Sequence, residues 1–183
     1  MSTKQHRIAV IVGTRPEAVK MAPVIRALKK SKRLSAITIS TSQHQQMTKQ
    51  ILESFGVAVD HDLKVMRKGQ TLWDLSGRLA SKLGRLYKEK ELDAVLVQGD
   101  TSSALFGGLC AFYHKIPVGH VEAGLRTGNS YSPFPEEMNR KLLGPLATWH
   151  FPPTSDAAKR LRDEGVNRSS IHMTGNTVVD ALR

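Results

Sequence analysis

Apolar positions along the chain fall into short unbroken runs separated by helical stripes. Residues 8–12, Ile-Ala-Val-Ile-Val, are apolar and mostly β-branched, and Gly13 closes the run. That pattern predicts a strand covered on both faces rather than one half-exposed. Val19, Met21, Ala22, Val24, Ile25 and Leu28 then recur along one side of a helix. Pro16 fits its first turn, where a missing N–H costs nothing, and the Lys/Arg/Ser segment near Ser31 ends it. Pro23 lies inside the stripe, so a kink or an early break is expected there.

The alternation continues to the end of the chain. Residues 36–41 read as a strand, and 43–55 as a helix stopped by Gly56. A short strand is expected over 62–66 and a helix over 72–91, with Thr71 as its N-cap. Residues 93–98 repeat the buried-strand signature and run into Gly99-Asp100-Thr101. A small-residue helix over 103–113 and a strand over 117–121 follow. Residues 123–135 hold Gly124, Gly128, Asn129, Ser130, Ser132, Pro133 and Pro135, a length and composition that predict a functional loop rather than a connector. A helix is expected from about Pro135, then a strand over 148–151, a helix over 154–164, a strand over 170–173 and the turn Gly175-Asn176-Thr177.

This is a βα unit repeated about six times, with no internal sequence repeat and no low-complexity linker. Helices that follow every strand must cover both faces of a mostly parallel sheet. A closed barrel needs about eight such units and ~250 residues, and the chain has 183 residues. The prediction is therefore an α/β fold with an open, doubly wound, Rossmann-like sheet.

Composition narrows the function classes only a little. No apolar run approaches the ~20 residues of a membrane span, and the amino-terminal run is too short for a signal-peptide core. Cys110 is the single cysteine, which excludes an internal disulfide framework and a cysteine-cluster zinc site. A cytoplasmic protein is the simplest expectation, with no membrane partner. The 27 Lys and Arg against 16 Asp and Glu give a net charge of +11, which favours an anionic partner. The basic residues are scattered as solvated faces would be, and aromatics are only 5% of the chain, too few for a base-stacking platform. Charge alone decides little among nucleic acid, an acidic surface and a phosphorylated metabolite, and a nucleic-acid partner is supported by nothing but that charge.

In open α/β sheets ligands bind beyond the carboxyl ends of the strands, and polar residues gather there. After the first strand come Gly13, Thr14, Arg15 and Pro16, with Lys20 one turn further on. Backbone N–H groups at a helix start and the Arg15 guanidinium can meet an anion, although neither dinucleotide nor P-loop spacing is present. After residues 93–98 comes Asp100, as a helix cap or as a working acid. After residues 117–121 comes Glu122, which could instead pair with Arg126, and the next helix opens on Glu136. Three carboxylates at one sheet edge raise one another's pKa, which suits proton transfer near neutral pH. His44 and His120 stand alone, so hydrogen-bonding roles and no metal are expected.

The segments GTRPEAVKMAPVI, TSQHQQM, GQTL, VQGDT, PVGHVEAGLRTGNSYSPFPEEMNRKL and TGNTVVDAL occur in that order from about Arg7 to Leu182. Together they resemble the non-hydrolysing UDP-N-acetylglucosamine 2-epimerases. The resemblance implies one half of a two-domain, glycosyltransferase-B-type architecture, with two Rossmann-like domains facing a cleft. It implies interconversion of UDP-GlcNAc and UDP-ManNAc by elimination and re-addition of UDP, without metal or nicotinamide, so no cofactor is expected. The family's acids match Asp100, Glu122 and Glu136. Arg15 and Lys20 match residues near the phosphates or the reaction centre, and Arg140 is a third candidate substrate contact. Gln43, Gln46 and Gln70, with His44 nearby, resemble part of a regulatory UDP-GlcNAc site. Gly69 stands where some relatives carry an arginine, a departure that falls on that regulatory site.

Family chains are about twice as long, and their second domain supplies much of the UDP-binding surface. The resemblance thus implies that residues 1–183 are the N-terminal domain, that the C-terminal UDP-binding domain is absent from this chain, and that the chain alone is inactive. A homodimer is expected of the full-length form. The competing readings are a hydrolysing relative that releases UDP and ManNAc, and a non-catalytic sugar-nucleotide-binding fragment that needs a partner chain.

Overall fold

The unbroken apolar run at the start becomes a central strand, β1 (His6–Val12). Alternate side chains enter two separate cores. Ala9 and Ile11 pack with one, and Val10 and Val12 with the other. Around β1 lie β2 (Leu34–Ser40), β3 (His61–Asp62), β4 (Ala94–Gln98), β5 (Val118–Val121) and β6 (Trp149–Phe151). All pairings are parallel, in the order β3-β2-β1-β4-β5-β6. The order reverses between β1 and β4, which places the expected ligand crevice beyond the carboxyl ends of those two strands. The computed structural model describes residues 4–41 and 45–182. The sheet is Rossmann-like, as the strand–helix alternation predicts.

Helices cover both faces. On one, α1 (Arg15–Lys30) buries Ala18, Met21, Ala22 and Ile25 beside Leu52 of α2 (Gln45–Ser54). On the other, α3 (Leu72–Glu89), α4 (Ser102–Tyr113) and α5 (Glu136–Leu146) contribute Leu79, Leu83, Ala111 and Leu143. The chain closes with α6 (Ser155–Asp163) and α7 (Val178–Ala181). Thr71 caps α3 as expected, accepting from the Asp74 amide while the Asp74 carboxylate reaches back to the Thr71 amide. Among the described residues no helix is long and apolar enough to cross a membrane.

Three local expectations need correction. Pro23 does not break α1, which runs through it to Lys30. An internal proline costs about 3 kcal/mol, but Met21 and Ile25 are fully buried on either side of it, and each such burial stabilises by about 1.5–3 kcal/mol. The strand expected over 62–66 shrinks to His61–Asp62. The strand expected over 170–173 is a single bridge between His150 and Ile171, preceded by a 3-10 turn over Arg168–Ser170. Residues 172 and 173 are exposed, so no buried layer holds an extended ladder there.

Candidate active site

Glycine at position 13 decides how closely the first turn approaches its neighbours. Its φ needs no left-handed conformation. A Cβ there, however, would lie 2.3 Å from the Ser103 hydroxyl and 2.7 Å from that of Thr41. Those two hydroxyls bond each other at 2.7 Å. The turn therefore sits directly against the start of α4, and a cleft of about 760 Å³ opens between them. Arg15, Lys20, Gln98, Asp100, Glu122 and Leu125 are among its lining residues.

Glu122 lies just past β5 with φ +62°, a left-handed backbone that costs a glutamate of order 1–3 kcal/mol. Its carboxylate is held from three other elements. Lys20 Nζ donates to Oε1 at 2.8 Å and to Oε2 at 2.6 Å. The Gln98 amide donates to Oε2, and Asn176 Nδ2 donates to Oε1 at 3.2 Å. Every one of these contacts is a donor, so the group is set up as an acceptor. The alternative partner, Arg126, instead forms a bidentate pair with Glu164, at 2.8 and 2.7 Å.

Asp100 is not the cap of α4. Thr101 fills that position and accepts from the Ala104 amide at 3.0 Å. The Asp100 carboxylate meets Arg140 at 2.5 Å, and the Asn139 side chain donates to the Asp100 carbonyl at 2.8 Å. Burial pushes the Asp100 carboxyl above the ordinary aspartate value. Glu136 and Glu122 push the same way, while Arg140 opposes them. Glu136 opens α5, half-buried, where the helix dipole favours a negative charge. The fold thus brings Asp100, Glu122 and Glu136 within electrostatic reach of one centre.

A family model described as UDP-N-acetylglucosamine 2-epimerase matches residues 26–183. The chain belongs to the UDP-N-acetylglucosamine 2-epimerase family. It is 48% identical over 179 residues to the UDP-N-acetylglucosamine 2-epimerase of Bacillus subtilis, a match covering 98% of this chain and 47% of that protein. The crystal structure of UDP-GlcNAc 2-epimerase from Neisseria meningitidis bound to UDP-GlcNAc superposes with a TM-score of 0.92 at 45% identity, covering 96% of this chain and 48% of that one. The Methanocaldococcus jannaschii UDP-GlcNAc 2-epimerase, solved in complex with UDP-GlcNAc and UDP, gives 0.89 at 35% identity, covering 96% and 48%. The chain spans about half the length of the family members it matches.

Within this family fold, the candidate residues that the structure describes fall in different surroundings. Arg15 and Lys20 lie on the first turns of α1 and line the cleft. Arg140, expected to contact substrate, is engaged by Asp100 and lies 3.7 Å from Glu137. Gln70, a regulatory-site candidate, accepts from the Arg67 amide at 3.0 Å and from the Arg78 side chain, outside the cleft lining. Gln43 and His44 lie outside the described residues, as does the side chain of Gln46. His120 is fully buried and bonds the Gly99 carbonyl through Nε2 at 2.7 Å, and burial lowers its pKa to about 4.

Other polar residues escape a reading of the sequence. Gln98 and Asn176 hold Glu122, while Glu17, at the cleft lining, and Glu137 are buried carboxylates. Burial raises the Glu137 carboxyl, but amide donors at Thr127 and Gly128 and the Arg140 charge overcome it, leaving the group below the ordinary glutamate value. Glu137 thereby folds the 127–128 turn onto the start of α5. Gly124 lets α6 approach, because a Cβ there would lie 2.3 Å from the Ala157 carbonyl oxygen. The one available signal was position: Gln98 ends a buried strand at the ligand edge.

Proposed function

We propose that this chain is the N-terminal, acid-bearing domain of a two-domain enzyme that interconverts UDP-GlcNAc and UDP-ManNAc. A base removes the proton on C2 of the sugar and the C1–O bond to UDP breaks, its electron pair leaving with UDP. The 2-acetamidoglucal left behind takes UDP back at C1 and a proton on the opposite face of C2. The observation that carries this reading is the different surroundings of two neighbouring carboxylates on one cleft. Glu122 accepts from Lys20, Gln98 and Asn176, whereas burial moves Asp100 towards its protonated form. Two carboxyl groups in such different surroundings can divide the acceptance and the return of one proton between them. Arg15 and Lys20 on the same cleft supply positive charge for the departing diphosphate.

The test is to incubate the complete two-domain protein with UDP-GlcNAc in deuterated water and follow the products. UDP-ManNAc carrying deuterium at C2 is expected. Free ManNAc with UDP as the end products would overturn the non-hydrolysing assignment, and no turnover would overturn the reading itself. The isolated chain is expected to be inactive, so turnover by residues 1–183 alone would remove the half-site claim.

The same proposal includes a homodimer. A helix apolar on all sides is normally buried all round, yet α4 leaves Phe112 and Tyr113 exposed on its outer side. Light scattering should give a dimer that Phe112→Arg with Tyr113→Arg dissociates. A monomeric wild type, or a dimer indifferent to the change, would refute it.

A further inference from the structure

Two helices of this chain begin with the same motif, and they use it differently. At α3, Thr71 and Asp74 form an exposed capping box, and among the described residues the Asp74 carboxylate accepts from Thr71 alone. At α1 the equivalent acid, Glu17, is 2% exposed. Its Oε2 accepts from the Gly13 amide at 3.0 Å, the Thr14 amide at 2.6 Å and the Thr14 hydroxyl at 2.8 Å. That already satisfies the turn. Its Oε1 is aimed elsewhere, at the Thr101 hydroxyl, 2.7 Å away and 84 residues along the chain.

Capping gives no reason to bury a carboxylate, since the α3 box works in solvent. Burial costs free energy that only full hydrogen bonding offsets, and here burial raises the Glu17 pKa. What burial adds at α1 is the bond across the switch point. Thr101 follows Asp100 directly and caps α4. The Asp100–Thr101 peptide is thus fixed from one side by Glu17 and from the other by Asn139 on α5. Two and three residues from Glu17 on its own helix lie Arg15 and Lys20.

We propose that Glu17 is a positioning residue: through Thr101 it straps the turn carrying Arg15 and Lys20 to the turn carrying Asp100, fixing the distance between the cationic and acidic sides of the cleft. As a statement about catalysis this rests on the epimerase reading above. As a statement about the fold it does not. A positioning role predicts a loss in kcat rather than in binding, because small misplacements of catalytic groups are costly in rate.

The experiment compares Thr101→Ala, which severs the strap, with Thr101→Ser, which keeps it, in the complete two-domain protein. Thr154→Ala serves as the control. Thr154 caps α6 by accepting from the Ala157 amide, so its loss removes a cap of the same kind without a strap. Thr101→Ala should lower kcat about tenfold or more with KM within about twofold. Thr101→Ser and Thr154→Ala should stay near wild type. Wild-type kcat in Thr101→Ala, or equal loss in Thr101→Ser or Thr154→Ala, would overturn the proposal. If the wild type turns over no sugar nucleotide, the epimerase reading fails separately. Amide exchange then decides the strap: faster exchange at Gly13 and Thr14 in Thr101→Ala than in Thr101→Ser supports it, and equal rates refute it.

Discussion

Asp93 and Asp100 stand at opposite ends of one strand, β4, and the protein treats them in opposite ways. At the amino end Asp93 accepts from the Arg7 amide at 2.7 Å and faces His6, with its side chain 46% exposed. The backbone bond holds its carboxyl below the ordinary aspartate value. At the carboxyl end Asp100 has an arginine at 2.5 Å, a stronger partner on paper, yet burial and the neighbouring Glu122 and Glu136 push its carboxyl up. A short ion pair therefore does not by itself tell how a carboxylate is poised. Desolvation and like charge outweigh it at one end of the strand, and a backbone amide, aided by His6 and Lys4, prevails at the other. The amino end of this sheet is built for stability, and the carboxyl end accepts an unfavourable arrangement of acids.

The sharpest way to break that comparison is to neutralise the acids at the carboxyl end. In the complete two-domain protein, Asp100→Asn and Glu122→Gln should each lower turnover about 10²–10⁴-fold, with far less effect on UDP affinity measured by calorimetry. Turnover unchanged in either variant would remove that residue from the chemistry. A second effect concerns His120, which packs under the same edge. Its folded-state pKa of about 4 lies below the unfolded value of 6.5. The unfolded chain therefore binds the proton first as pH falls, and stability declines from pH 6.5 towards 4. Urea midpoints across that range should reveal a loss on the order of 1–3 kcal/mol, and His120→Gln should flatten the slope.

A subtler measurement sharpens the comparison directly. Carboxyl carbon shifts followed by NMR should give Asp100 a midpoint above 3.8 and Asp93 one below it. Coincident midpoints would mean that the two ends are not distinguished. The smallest effect is expected for Asp93→Asn, which should leave turnover and UDP affinity as they are, a result that activity assays check at once.

Much of this arrangement was legible in the residues, and what was not follows a pattern. Strand–helix alternation places Asp100 and Glu122 after successive strands, and the ligand edge follows from the fold class. Thr71 as a cap and Pro135 as a helix start are local signals, and they hold. The partners of the acids are another matter. Lys20 and Glu122 are 102 residues apart, and Asn176 and Glu122 are 54 apart. Such contacts exist only once the sheet has closed, and no local spacing encodes them. Glu17 was visible merely as part of a turn motif, because nothing in a capping pattern tells whether its acid will be buried. Pro23 and residues 170–173 misled for the converse reason: burial on either side overrode a helix breaker, and its absence left a strand pattern unused.

The left-handed backbone of Glu122 has a consequence for how this protein could change. Glycine would relax that conformation. Yet glycine would also leave Lys20, Gln98 and Asn176 facing an empty position. The glutamate is kept there against the preference of its own backbone. At this position a more relaxed chain and a working acid are competing outcomes, and laboratory selection for thermostability alone should be expected to find the trade.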